Sequence, residues 1–230
     1  MNSDNLPTRL YAVTPPKIDL ARFIPQVEAA FAGGDIACLQ LRLKEASDSE
    51  ILAAAKALIP ICQKHEAAFI MNDRADLVAQ CGADGVHVGQ EDLEKNSLKR
   101  IRNLLGADAV IGVTCHASRH LAMEAGEQEA DYVAFGAFYP TTSKPLEKLE
   151  KWGTPQPEIL EWWSASSTLP CVAIGGITPE NLDPLVKAGA DFIAAINGIW
   201  NHPQGAAAGV KAYNDAIAKA KTALLSENLG

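Results

Sequence analysis

The sequence predicts an α/β fold, a (β/α)8 TIM barrel occupying residues 1–230 as a single domain. Three observations lead there. Short apolar runs alternate with helix-length segments, eight of each, along the whole chain. The chain has 230 residues, a length at which such barrels run as one domain. The apolar runs are mostly unbroken, as expected of parallel strands buried on both faces. A weak repeat supports the count: Gly-Ala-Asp precedes an apolar run at Gly82, Gly106 and Gly189, and Glu129-Ala130-Asp131 varies it. Gly ends a helix there and Asp turns the chain into the next strand. An open doubly wound sheet is the rival, but eight evenly spaced units favour closure.

The elements follow in order. Arg9 to Thr14 is the first strand, stopped by Pro15 and Pro16. Asp19 caps a helix carrying Phe23, Val27 and Phe31 at spacing four, and Gly33-Gly34 ends it. Ile36 to Leu41 is the second strand, and it runs into Gln40, Arg42 and Lys44, which share one face at a period of two. Ser47 with Glu50 forms a capping box for a helix whose apolar face is Ile51, Ala55, Leu58, Ile59 and Cys62. Phe69 to Met71 and Gly85 to Gly89 are strands three and four, flanking a helix from Ala75 to Cys81. Leu93 to Leu105 is helical, Ala109 to Val113 is the fifth strand, Ser118 to Gln128 is helical and Tyr132 to Gly136 is the sixth strand. A long irregular loop spans Ala137 to about Pro157, and Glu158 to Trp163 begins a helix that Trp162 and Trp163 pack against the barrel. Cys171 to Ile174 is the seventh strand, and Thr178-Pro179-Glu180 after Gly175-Gly176 reads as a helix start. Phe192 to Ile196 is the eighth strand, and an Ala-rich helix at about 205–225 closes the chain.

Composition narrows the function. The net charge of −8 argues against a nucleic-acid surface, where a basic stripe is expected. Five cysteines without CxxC spacing read as reduced thiols of a cytoplasmic protein. The N-terminus shows no signal-peptide pattern, and no apolar run is long enough to span a bilayer. Homo-oligomerisation is compatible with all of this.

In such a barrel the site lies at the C-terminal rim. The residues just past the strands are Thr14, Arg42 and Lys44, Asn72 and Asp73, Gln90 and Asp92, Thr114 and His116, Thr141 to Lys144, Gly175 and Gly176, and Asn197 and Gly198. Asp73 and Asp92 end neighbouring strands, and two carboxylates side by side repel unless a cation lies between them. Mg2+ is the simplest candidate, since it takes one or two carboxylates plus substrate phosphate oxygens. The alternative is that one Asp caps the following helix and the other is solvated. Arg42, Lys44 and Lys144 around that metal suit a pyrophosphate. Backbone amides at Gly176 and Thr178 suit a phosphate monoester, against the alternative that Gly175-Gly176 makes a tight turn and nothing more. His116 and His120, four apart, lack the Glu of a zinc-protease motif. His87, inside a strand, reads as a packed barrel histidine. Cys115 and His116 are adjacent in a strand, so they face opposite ways and form no nucleophile–base pair.

These residues resemble a known family. QLRLK at 40–44, NDRADL at 72–77, GADGVHVGQEDL at 82–93, IGVTCH at 111–116, DYVAFGAFYPTTSK at 131–144 and VAIGGITPEN at 172–181 are similar to thiamine-phosphate synthase in order and spacing. The resemblance implies a TIM-barrel transferase that couples hydroxymethylpyrimidine diphosphate with a thiazole phosphate, releasing pyrophosphate through a pyrimidine carbocation. It implies Gln40, Arg42, Lys44, Asn72, Thr114 and Lys144 on the pyrimidine diphosphate and Asp73 and Asp92 on Mg2+. It implies Thr141, Thr142, Ser143, Gly176, Ile196 and Asn197 on the thiazole phosphate, with Arg42, Lys144 and Thr114 as catalytic residues. Thr114, Ser143, Ala137 and Asn197 depart from the family's usual Ser, Thr, Pro and Ser. The alternatives are a thiazole tautomerase on the same barrel, with His116 moving the proton, and a non-catalytic sensor of thiamine precursors.

Overall fold

The structure, a computed structural model, describes residues 8–141 and 151–227. Eight parallel strands pair in sequence order and close into a barrel: β1 (Arg9–Val13), β2 (Cys38–Leu41), β3 (Ala68–Asn72), β4 (Gly85–Val88), β5 (Val110–His116), β6 (Tyr132–Phe135), β7 (Cys171–Ala173) and β8 (Phe192–Ala195). Closure is made by β8 on β1, with Arg9 beside Phe192 and Ala12 beside Ala195. The helices among the described residues are α1 (Leu20–Gly33), α2 (Asp48–Lys64), α3 (Ala75–Cys81), α4 (Gln90–Leu93), α5 (Leu98–Leu105), α6 (Arg119–Glu127), α7 (Glu158–Ser166), α8 (Asp183–Lys187), α9 (Asn197–Trp200) and α10 (Ala206–Glu227).

Local chemistry accounts for most ends. Asp19 accepts from the Ala21 and Arg22 amides at the start of α1. Ser47 and Glu50 form the reciprocal capping box of α2, and that helix buries Ile51, Ala55, Leu58, Ile59 and Cys62. Gly82, at φ 75°, ends α3 in the left-handed conformation with its N–H on Val78 O. Trp163 is buried, meets Phe135 edge-on and donates its indole N–H to Leu169 O. Two helix expectations need correction. The segment from Leu93 to Leu105 is not one helix, because α4 ends at Leu93 and Ser97 caps a separate α5. Thr178 does not begin a helix: residues 178–181 form a turn and α8 starts at Asp183.

The unbroken apolar runs divide at a period of two. Leu10, Ala12, Leu39, Leu41, Phe69, Met71, Val86 and Val88 pack outward against the helices. Tyr11, Val13, Cys38, Ile70, Tyr132, Ala134, Val172 and Ala194 make a second cluster inside the barrel. Two tyrosines dominate that interior, and Gly112 makes room for one, since a Cβ there would collide with the Tyr132 ring.

Two of the three Gly-Ala-Asp copies, and the Glu-Ala-Asp variant, have a physical role at the N-terminal rim. Asp84 before β4 accepts the Phe69 amide of β3 at 2.7 Å, and Asp131 before β6 accepts the Ile111 amide of β5 at 2.7 Å. Asp191 before β8 accepts the Cys171 amide of β7 at 2.8 Å. Asp35, ahead of β2, holds Arg9 of β1 through two hydrogen bonds instead. Each even strand is thus preceded by a carboxylate that ties down the odd strand before it. Asp191→Ala should lower stability by about 1–3 kcal/mol, the range for losing a charge-assisted hydrogen bond to a half-buried amide. Urea unfolding would measure it, and an unchanged midpoint would mean that the clamp contributes nothing.

Candidate active site

Two cavities open at the C-terminal rim and meet. The larger, about 670 Å³, is lined by Arg42, Lys44, Asn72, Asp73, Asp92 and Thr114. The smaller, about 460 Å³, is lined by Arg42, Thr141, Gly176, Ile196 and Asn197. Arg42, Ile196 and Asn197 border both. Most sequence-expected residues therefore converge on the two cavities; Gln40 lines neither, and Thr142, Ser143 and Lys144 lie outside the described residues.

The β1 and β2 ends build the cationic side. Thr14 is fully buried and accepts the Arg42 amide at 2.9 Å, and the Lys44 amide donates to Pro16 O at 2.8 Å. Thr14 therefore sets the backbone of the Arg42 turn and does not face the cavity. Burial lowers the pKa of the Arg42 guanidinium and the nearby Asp73 carboxylate opposes this. Gln40 also faces inward, at 4% exposure, but its amide is spent on Asn72 Oδ1 at 3.1 Å. Asn72 in turn donates to Asp73 Oδ2 at 2.5 Å. Gln40 thus acts on the acidic pair at one remove.

Asp73 sits at φ 62°, in the left-handed region that Asp tolerates better than most residues. Its N–H donates to His87 O at 2.8 Å, which anchors the turn to β4. Arg74 turns away and pairs with Asp48 and Asp76. Asp92, on α4, accepts the Gly89 amide at 3.3 Å. It also lies close enough to Asp73 for the two carboxylates to repel each other. Asp92 thus caps the start of α4 while Asp73, its neighbour, is half-buried rather than solvated. Burial first, and Asp92 second, push the Asp73 carboxyl up to about 6, while Lys44 at 3.9 Å and Arg42 pull it down.

That frustration is what a divalent cation would relieve. Among the described residues no group of three or more His, Cys, Asp or Glu could form a complete protein cage. A pair of hard carboxylates at an open cavity matches the way Mg2+ is held when substrate phosphates supply the remaining oxygens. The residues fit such an ion. They do not fit zinc: His116 is buried and stacks on Trp152 at 4.5 Å, whereas His120 is exposed and faces Glu124.

In the smaller cavity the glycine turn is sterically required. Gly175 and Gly176 have φ of 104° and 64°, and a Cβ on either would strike the 137–140 segment, at Ala137 or at the Tyr139 and Pro140 carbonyls. Asn181 holds the turn. Its side-chain amide donates to Gly176 O at 3.1 Å and accepts the Thr178 N–H at 2.8 Å, and the Tyr139 hydroxyl donates to its backbone carbonyl at 2.8 Å. The Thr178 amide, expected to face a phosphate, is thus engaged inside the turn. Sequence reasoning passed over Asn181, Trp152 and Tyr132. The Thr-x-x-Asn spacing at Thr178 was the available signal for the first.

Comparison with known proteins identifies the family. The family model described as thiamine monophosphate synthase matches residues 10–199. The chain belongs to that family. It is 56% identical over 206 residues to a thiamine-phosphate synthase of Rhodospirillum centenum, covering 90% of this chain and 96% of that one. It is 49% identical to the synthase of Hyphomonas neptunium, covering 90% and 92%. Among solved structures it is similar to the thiamine phosphate pyrophosphorylase of Pyrococcus furiosus, with TM-score 0.79, 26% identity and coverage of 95% and 99%. The thiamine monophosphate synthase model thus spans β1 to β8 and both cavities. The Asn181 bridge generates a local test: Asn181→Ala should speed amide hydrogen exchange at Thr178 by about tenfold, as expected for one lost hydrogen bond. Unchanged exchange would show that the turn is held by its glycines alone.

Proposed function

We propose that the two cavities are the two substrate sites of a thiamine-phosphate synthase, a transferase joining hydroxymethylpyrimidine diphosphate to thiazole phosphate. One observation carries the assignment to sites: an acidic pair with two cations in one cavity adjoins a glycine-turn cavity, and Arg42 borders both. The diphosphate belongs beside Asp73, Asp92, Lys44 and Arg42, with Asn72 and Thr114 on the pyrimidine. The thiazole phosphate belongs beside Thr141, Gly176, Ile196 and Asn197. Thr142, Ser143 and Lys144 are assigned by family resemblance alone.

Asp73 and Asp92 would hold Mg2+, which when bound supplies charge neutralisation to a leaving diphosphate. The thiazole nitrogen already has a lone pair, so bond formation needs no general base, and none is required of His116. Arg42 borders both cavities, so with a substrate in each its charge would be worth more as the carbon–oxygen bond breaks than before. Gln40 and Asn72 keep Asp73 oriented. The five free cysteines, four of them buried, support a reducing, cytoplasmic location. No helix among the described residues is long and apolar enough to cross a membrane.

The direct test mixes both precursors with Mg2+ and follows thiamine phosphate and pyrophosphate together. Both should appear, and excess chelator should abolish both. Isomerisation of the thiazole alone would instead indicate a tautomerase, and binding without turnover a sensor. Arg42→Ala should lower kcat by about 10²–10³, the typical loss for one electrostatic contact to a transition state. A rise in KM with kcat unchanged would reduce Arg42 to a ground-state contact. Asp92→Ala should lower turnover sharply with the barrel still folded by circular dichroism, and should raise the Mg2+ concentration needed for half activity. Wild-type metal dependence in that variant would remove Asp92 from the metal site.

A further inference from the structure

From the larger cavity, whose lining includes Thr114 and His87, four side chains form a continuous line down into the barrel. The Tyr11 and Tyr132 hydroxyls are 2.9 Å apart, Tyr132 OH is 2.9 Å from His87 Nδ1, and His87 Nε2 is 2.8 Å from Thr114 Oγ1. The His87 ring also stacks on Tyr132, with centroids 5.5 Å apart. Each neutral member carries one hydrogen to place along the line, so the hydrogens run either toward the cavity or away from it. At the deep end, among the described residues, the polar group beside the Tyr11 hydroxyl other than Tyr132 is the buried thiol of Cys38. Running downward, the Tyr11 hydroxyl would have to donate to sulfur, a weak acceptor. Running upward, Tyr11 donates to Tyr132, Tyr132 to Nδ1, and Nε2–H to Thr114, so each hydrogen meets oxygen or nitrogen. Burial raises the pKa of both tyrosines far above its usual value, which keeps them as donors.

We propose that Tyr132 fixes His87 as its Nε2–H tautomer, making His87 a positioning residue that turns the Thr114 hydroxyl into a hydrogen-bond donor toward the pyrimidine substrate. The substrate part rests on the assignment of Thr114 made above. An aminopyrimidine ring nitrogen and a diphosphate oxygen are both acceptors, so a hydroxyl with its hydrogen directed into the cavity suits either.

The test is 15N NMR of protein labelled at histidine, with the His87 ring assigned by its disappearance in His87→Gln. Wild-type protein should show Nδ1 bare and Nε2 protonated before any substrate is added. Tyr132→Phe should mix the two tautomers. It should also lower kcat/KM for the pyrimidine diphosphate by about tenfold, as for one neutral hydrogen bond, and leave KM for the thiazole phosphate unchanged. Tyr11→Phe leaves Tyr132 able to donate, so the tautomer should persist. A protonated Nδ1 in wild-type protein would overturn the proposal, and this readout stands even if Tyr132→Phe fails to fold. An Nε2–H tautomer with Thr114→Ala indifferent to the pyrimidine would overturn the substrate assignment and leave the relay intact.

Discussion

Everything at this site depends on the closed parallel ladder. Because β8 pairs with β1 in the same sense as every other neighbour, all eight strands end on one rim. Side chains far apart in sequence are thereby forced together: Asp73 with Asp92, and Arg42 with Asn197. The opposite rim carries the restraint. Carboxylates at Asp84, Asp131 and Asp191 hold the starts of β3, β5 and β7, which leaves the C-terminal loops to vary their chemistry.

At the working rim the chain concentrates unfavourable electrostatics and supports them from behind. Asp73 is half-buried, lies next to a second carboxylate and adopts a left-handed backbone. Three neighbours offset this: Asn72 donates to its carboxylate, Gln40 orients Asn72, and the β4 carbonyl of His87 holds its amide. This is the expected distribution of strain in an enzyme, where local structure is paid for by packing elsewhere. The glycine turn is a second instance, since Asn181 and Tyr139 fix a loop whose own residues have positive φ.

Much of this was legible in the sequence because its signals are local. The capping box at Ser47, the left-handed Gly82 and the Gly-Ala-Asp punctuation each depend on residues a few positions apart, and α3 falls on Ala75–Cys81 as expected. The cavity residues were legible because strand ends in a parallel barrel must share a rim. What escaped was decided by tertiary contact. Gln40 shares a face with Arg42 and Lys44, but whether it meets Asn72 depends on the register of β2 against β3. The Thr178 amide carries a plausible phosphate-binding pattern, yet Asn181 folds back on it. His87 reads as a packed histidine in isolation, and only the pairing of β4, β5 and β6 places it between Tyr132 and Thr114.

The proposed function requires that Asp73 and Asp92 form a divalent-cation site completed by the leaving diphosphate. Anomalous diffraction from crystals grown with Mn2+ and pyrophosphate tests it most directly. A single peak about 2.0–2.3 Å from an oxygen of each carboxylate, with pyrophosphate oxygens completing the shell, is the result this account requires. Pyrophosphate bound with no peak between the two carboxylates, or a peak only elsewhere on the rim, would contradict it.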